Sequence, residues 1–417
     1  MSDLLKNYLG GRWVAGSGAG TALFDPVLGD ELVRVDATGL DLRAGFAFAR
    51  ESGGAALRAM TYRERAAMLA AAVKVLQAKR DDYYAIATAN SGTVKNDSAV
   101  DIDGGIYTLS TYAKLGESLG ERRYLLDDAA ARLAKEPLFQ SRHVLVPTRG
   151  LALFINAFNF PSWGLWEKAA PALLSGVPVV VKPATATAWL TQRMVQDVVE
   201  AGVLPAGALS VVCGSSAGLM DALEPFDVVS FTGSADTAAL IRSHAAVTQR
   251  SVRVNIEADS VNSALLLPGE APGSEAFELL VKEVAREMTQ KAGQKCTAIR
   301  RALVPTSMLD SVQNALISRL GNATIGDPRD ETTRLGALAG IPQRADRMAP
   351  SPPHNRGAPA PLPWRREYRT HRDLGSGCGP RARGSAPPGS WRAMTADLCA
   401  SIPAFRPTMA GCAAIWN

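Results

Sequence analysis

Leu151-Ala152-Leu153-Phe154-Ile155-Asn156 is an unbroken apolar run closed by a polar residue, and Val177-Pro178-Val179-Val180-Val181-Lys182 repeats that form downstream. Runs that short and that apolar suit strands buried on both faces, as in a parallel sheet. The alternation continues through Leu209 to Val212, Asp227 to Phe231 and Val252 to Ile256. Between these runs, a helix is expected to open around Pro161-Ser162, with others over about 187–202 and 235–248. Strand and helix in turn predict an α/β fold with a doubly wound, Rossmann-like sheet, whose ligands bind beyond the carboxyl ends of the strands. Asn159, Lys182 and Gly233 each fall just past such an end.

Outward from this core, Thr61-Tyr62-Arg63-Glu64 has the form of a capping box, followed by Met68, Leu69, Ala72, Val73 and Leu76 on one helical face. Downstream, a helix over about 275–292, a strand from Arg300 to Val304 and a helix over about 307–320 predict the start of a second α/β domain. The expected organisation is a domain of nucleotide-binding layout over 1–256, the N-terminal half of a second domain over 257–346, and a tail over 347–417.

Composition marks off that tail. It carries ten Arg, no Lys and three acids, a net +7, whereas the first 346 residues carry 35 bases against 37 acids. Eleven of the 25 Pro and three of the five Cys also lie in it. Such a Pro/Arg-rich stretch without periodicity is expected to be disordered. It also has the composition of a GC-rich coding sequence read out of frame, so a frameshift near Asp346 is expected, with an interaction tail as the alternative. A nucleic-acid partner would rest on the tail alone, and none is expected. No run of eighteen apolar residues predicts a membrane span, and only Cys213 and Cys296 precede residue 346. A soluble cytoplasmic protein without a metal site is expected.

Three residues draw attention as a set. Cys296 lies in Gln290-Lys291-Ala292-Gly293-Gln294-Lys295-Cys296-Thr297, Glu257 in Asn255-Ile256-Glu257-Ala258-Asp259, and Asn159 in Asn156-Ala157-Phe158-Asn159-Phe160-Pro161. Singly, each has an ordinary reading: a buried thiol acting as a small hydrophobe, a solvent-facing carboxylate, and an amide capping the helix after Pro161.

Together, in that order and with those neighbours, they resemble the NAD(P)-dependent aldehyde dehydrogenase superfamily over about residues 5–345. The resemblance implies Cys296 as nucleophile, Asn159 with the Cys296 backbone N–H as oxyanion donors, and Glu257 as the base that hydrolyses a thioester. Burial at a strand end is expected to raise the Glu257 pKa. Where the family commonly has Gly-Gly after this Glu, the chain has Ala258-Asp259.

The resemblance also implies a cofactor site. Lys182-Pro183-Ala184-Thr185 matches the stretch that holds the adenine ribose, and Phe231-Thr232-Gly233-Ser234 precedes a helix whose N-terminus suits a pyrophosphate. NAD-preferring relatives place Glu at Thr185; its absence beside Lys182 favours NADP over NAD. Ile256 to Asn262 and the opening Asn7 to Trp13 look like the branch acting on CoA-linked semialdehydes in aerobic aromatic degradation. The family's Glu-x-Phe-Gly-Pro segment, expected beyond residue 345, does not occur, nor does the C-terminal arm that assembles homo-oligomers in relatives. The 417-residue chain is therefore expected to be weakly active or inactive. Alternatives are a non-catalytic relic and a CoA-acylating dehydrogenase, the latter disfavoured because it needs no hydrolytic Glu257.

Overall fold

The computed structural model describes residues 2–341, 343 and 391–394. By contacts the chain forms two compact units, one of Met1–Val261, Glu287–Ala298 and Ala323–Gln343, the other of Asn262–Arg286, Ile299–Asn322 and Arg344–Asn417.

In the first unit, a seven-stranded sheet is built from β1 (Asn7–Leu9), β2 (Arg12–Val14), β3 (Ala152–Ile155), β4 (Val179–Lys182), β5 (Leu209–Val211), β6 (Val228–Gly233) and β7 (Arg253–Ala258). Its order is β7-β6-β3-β4-β5-β1-β2. The five strands from β3 to β7 are parallel, as the apolar runs require. Val179, Val180 and Val181 are fully buried. The chain winds outward from β3 through β4 to β5, then returns to place β6 on the other side of β3. The reversal lies between β3 and β6, the switch point at which an open α/β sheet offers a crevice.

The antiparallel edge was not legible as part of this sheet. β1 and β2 form a hairpin in which Leu9 pairs with Arg12, and both linking residues, Gly10 and Gly11, have positive φ (62° and 74°). A two-residue hairpin loop of that hand matches the twist of the strands, and glycine adopts it without a Cβ clash. β1 then closes against β5.

The helices follow the expected pattern with local departures. α1 (Tyr62–Ala78) begins with the full capping box: Glu64 N–H donates to Thr61 Oγ1 at 3.2 Å, and Thr61 N–H donates to Glu64 Oε2 at 2.6 Å. Its Met68, Leu69, Ala72, Val73 and Leu76 are buried. α2 (Lys95–Leu119), α3 (Trp163–Leu174) and α4 (Ala188–Glu200) complete the helices that bear on the site. The helix expected over 235–248 is two, α5 (Ala235–Ser243) and Ala245–Thr248. His244 between them is extended (φ −66°, ψ 145°), and its Nδ1 accepts the Ala246 N–H, restarting the helix. The starts of β3 and β6 are tied by buried Asp227, whose carboxylate takes the Leu151 N–H and a two-pronged bond from Arg50 at 3.0 and 2.6 Å.

In the second unit, β8 (Asn262–Leu265) runs parallel to β9 (Ile299–Pro305), and β10 (Trp391–Met394) pairs antiparallel to β9. Apart from β10, the tail expected to be disordered lies outside the described residues. Among the described residues, no helix is long and apolar enough to cross a membrane, and no group of three His, Cys, Asp or Glu side chains is arranged to hold a metal.

Candidate active site

A cavity of about 470 Å³ opens at the switch point, and every residue lining it belongs to the first unit. Asn156, Ala157, Asn159 and Phe160 follow β3; Thr232 and Glu257 are the penultimate residues of β6 and β7; Gly164, Glu167 and Lys168 lie on α3; and Cys296 and Thr297 come from the segment after residue 287. The structure therefore brings together Cys296, Glu257 and Asn159, three residues that the sequence scatters across 138 positions. Lys182, Thr185, Gly233 and Ser234 are not part of this lining; Lys182 ends β4 and Gly233 ends β6, with Thr185 and Ser234 just beyond them.

Cys296 is half-buried, and its thiol is hydrogen-bonded to the Glu257 carboxylate. Burial pushes the thiol pKa up, and the negative charge and acceptor oxygen of Glu257 push it further. The backbone N–H groups of Cys296 and Thr297 oppose this by donating to sulfur. The resting pair is thus a thiol poised to hand its proton to a carboxylate. The expected burial of Glu257 is not found: its side chain is exposed, because β7 is the edge strand and Glu257 its penultimate residue.

Asp259 follows with φ 51°, a left-handed conformation in which its N–H reaches Gly233 O at 3.2 Å. Glycine adopts that conformation without strain, and Asp is among the few other residues that tolerate it. The Asp259 side chain is exposed, and the residue does not line the cavity.

Asn159 does not cap α3. The N-cap position is Ser162, whose hydroxyl makes no capping bond. The first N–H groups of the helix go instead to Asp101, on α2: Trp163 N–H to Oδ1 at 2.8 Å and Ser162 N–H to Oδ2 at 3.4 Å. The Asn159 amide is left to face the cavity.

Several charged residues escaped the sequence reading. Lys168 Nζ spans the switch point, donating to Asn156 Oδ1 at 2.9 Å and Thr232 Oγ1 at 2.7 Å, and Thr232 lies beside Glu257 in register. Burial lowers the Lys168 pKa against the opposing pull of Glu167 and Glu257. Burial raises that of Glu167, with Lys168 opposing. The only sequence signal was a charged pair, Glu167-Lys168, inside an otherwise apolar helix.

The segment before the thiol is held in an unusual backbone. The helix expected to reach 292 stops at Thr289, and Lys291, Ala292 and Gly293 all have positive φ (52°, 51° and 71°). Two consecutive non-glycine residues in that region are strained by roughly 1–2 kcal/mol each. The stretch is held by Lys291 N–H donating to Asp97 Oδ2 at 2.9 Å, Gln294 Nε2 donating to Lys291 O at 3.0 Å, and Ala339 N–H donating to Gln294 Oε1 at 3.1 Å.

Asp97 is buried, which raises its pKa to about 6 although Lys291 and Lys295 pull it down. A carboxyl that titrates higher folded than unfolded binds its proton more tightly in the native state. Stability therefore falls as pH rises from about 4 to about 6 and levels above that. Asp97→Asn keeps an acceptor and does not titrate. Relative to the parent, it is expected to gain roughly 3 kcal/mol of stability between pH 4 and pH 7, read from urea unfolding midpoints at each pH. Parallel pH profiles for the two proteins would exclude a buried, titrating Asp97.

The residues expected to hold a cofactor have their own geometry. Lys182 is buried, its pKa lowered by desolvation, and among the described residues its ammonium meets no carboxylate. Thr185 opens a short 3₁₀ turn and donates its hydroxyl to Gly214 O at 3.3 Å. Ser234 caps α5 by accepting the Thr237 N–H at 3.3 Å. A Cβ at Gly233, the last residue of β6, would lie 2.5 Å from the tip of the Phe231 ring, so a larger residue there would need that ring to shift.

Residues 13–349 match the sequence profile of the Aldehyde dehydrogenase family. A 3,4-dehydroadipyl-CoA semialdehyde dehydrogenase of Aromatoleum evansii is 55% identical over 341 residues, which is 82% of this chain and 66% of that protein. A non-phosphorylating aspartate-semialdehyde dehydrogenase of Halomonas elongata is 29% identical, over 79% of this chain and 64% of that protein. The chain thus spans just under two thirds of the length of these curated relatives. Among solved structures, a succinate-semialdehyde dehydrogenase from Burkholderia pseudomallei superposes with a TM-score of 0.70 at 26% identity, covering 82% of this chain and 68% of that one.

Proposed function

This chain belongs to the aldehyde dehydrogenase family, and from that premise we propose that it oxidises, with weak turnover, a CoA-linked semialdehyde to the carboxylic acid through a thioester on Cys296, with NADP as oxidant. The observation that carries the proposal is the hydrogen-bonded Cys296–Glu257 pair in a cavity also lined by Asn159. A nucleophile, its base and a side-chain amide donor in one cavity are what acyl chemistry at a carbonyl needs.

The steps follow from those groups. Glu257 takes the thiol proton as sulfur bonds to the aldehyde carbon. The carbonyl oxygen becomes an oxyanion, met by the Asn159 amide and the Cys296 N–H; each such donor is worth about 10²–10³ in rate. Because Glu257 is exposed, it can pass the acquired proton to solvent and recover its charge. The recovered carboxylate then draws a proton from water as that water attacks the thioester. The carbon–sulfur bond breaks, the acid leaves, and the thiolate is protonated again. A bound nicotinamide cofactor would supply the acceptor for the hydride that leaves the carbonyl carbon as the oxyanion collapses to the thioester, before water attacks. A reaction that passed the acyl group to a thiol instead would leave Glu257 without its second task, which disfavours the CoA-acylating alternative.

Lys182, Thr185, Gly233 and Ser234 would hold that cofactor. They fit it on two counts: a buried cation without a carboxylate among the described residues, and a helix N-terminus just past Gly233. NADP is favoured over NAD because Thr185 brings no charge to repel a 2′-phosphate near Lys182. Thr185→Glu is expected to weaken NADP binding by about 10–100-fold, the equivalent of about 1.4–2.8 kcal/mol of like-charge repulsion. NAD binding should hold or tighten. Titration of each nucleotide against intrinsic fluorescence would measure both, and equal losses for the two would refute the assignment of Thr185.

The CoA-linked substrate is supported by the 55% identical relative. The test of the whole reading is direct. The chain is mixed with NADP and a CoA-linked semialdehyde, quenched in acid within one turnover, and digested for mass spectrometry. An acyl adduct on the Cys296 peptide is expected; an unmodified Cys296 would sink the proposal.

A further inference from the structure

Asp97, Asp101 and Gly105 are spaced four residues apart on α2, so they share one buried face of that helix. Asp101 is at the centre of two half-sites. On one side it takes the Ser162 and Trp163 N–H groups, fixing the turn that carries Asn159. On the other, its Oδ2 lies 3.8 Å from Lys291 Nζ, in the strained stretch that leads to Cys296. Lys291 Nζ also lies 4.1 Å from the centre of the Phe160 ring, directly beside Asn159. Asp101 and Lys291 are 1% and 4% exposed, so neither charge has water to fall back on.

We propose that Asp101 is a positioning residue that sets the distance between nucleophile and oxyanion donor, by holding the Asn159 turn and the Lys291 segment on one carboxylate. The inference rests on the roles of Cys296 and Asn159 proposed above. A buried ion pair is poor evidence of stabilisation, since apolar replacements are often as stable, but it does specify one geometry. Here that geometry joins two segments that share no strand or helix, and it braces three left-handed residues that would otherwise relax.

Two reactions at the same sulfur separate positioning from general damage. Acylation by p-nitrophenyl acetate passes through an oxyanion and needs no nucleotide. Alkylation by iodoacetamide forms no oxyanion. In the full chain, Asp101→Asn is expected to slow acylation of Cys296 by about 10–100-fold, approaching the loss of a donor. Alkylation of the same residue, followed on its peptide by mass spectrometry, should stay within about threefold, because that reaction draws on no oxyanion donor. Asn159→Ala should give the same split.

Lys291→Met, which leaves both backbone bonds of Asp101 intact, should reproduce the split, and it decides the matter if Asp101→Asn does not fold. The double variant should be no slower than the worse single one, as expected for two ends of one tether. If acylation in the variants stays near the parental rate, or if both reactions slow together, the tether is wrong. If the parental Cys296 alkylates but takes no acyl group, the proposed function itself fails.

Discussion

Cys296→Ala is expected to abolish both products of the proposed reaction, reduced cofactor and carboxylic acid, with a fall of roughly 10⁴–10⁶-fold in kcat, the scale seen when an enzyme loses its nucleophile. The loss should appear in kcat and not in KM, because the cavity is also shaped by Trp163, Phe160 and Gly164, which the substitution does not touch. Stability should change little, since the thiol is half-buried and sits at the wall of an existing cavity. Cys213 cannot substitute for it. That thiol is fully buried and pushed up to about 12, so it is neither ionised nor reachable at neutral pH. A Cys296→Ala chain that still reduced cofactor at a tenth of the parental rate would place the chemistry elsewhere.

Glu257→Gln should divide the reaction in two. Steady-state turnover is expected to fall by roughly 10²–10⁴-fold, the usual contribution of a positioned base. A single burst of reduced cofactor, equal to the amount of chain, should precede the stall, leaving acylated Cys296 behind. The same substitution has an opposite effect on the free thiol. In the parent, the charge of Glu257 and the bond it accepts both raise the Cys296 pKa. Removing them leaves the N–H groups of Cys296 and Thr297 less opposed, so the pH profile of iodoacetamide alkylation should move to lower pH. A slower enzyme with a more readily ionised nucleophile is a combination that simple unfolding does not produce. Undiminished steady-state turnover in Glu257→Gln would remove it as the hydrolytic base.

Much of this molecule was legible because its core strands announce themselves. Val179 to Lys182 and Leu209 to Val211 are buried along their whole length, as parallel strands under two helical layers must be, and they appear within a residue or two of where the runs predict them. Thr61 and Glu64 announced a helix start because a capping box is a contact between near neighbours. Less legible were features whose partners lie far along the chain. The Gly10-Gly11 hairpin joins the sheet through a strand some two hundred residues on. α3 lacks a local cap because its cap, Asp101, belongs to another helix. The left-handed run at Lys291 to Gly293 reads in sequence as the last turn of a helix, and only the contacts of Asp97 and Gln294 make it otherwise.

What the sequence alone determined was the alternation of strand and helix and the identity of a thiol, a carboxylate and an amide, because periodicity and residue chemistry are properties of short stretches. The tertiary structure decided where those groups meet. The reversal of winding between β3 and β6 opens the cavity, the edge position of β7 leaves Glu257 exposed to water, and the buried charges of Asp101 and Lys291 link two segments with no local reason to be neighbours. Electrostatic and packing contacts between residues distant in sequence have no period to reveal them; they exist only once the chain has closed on itself.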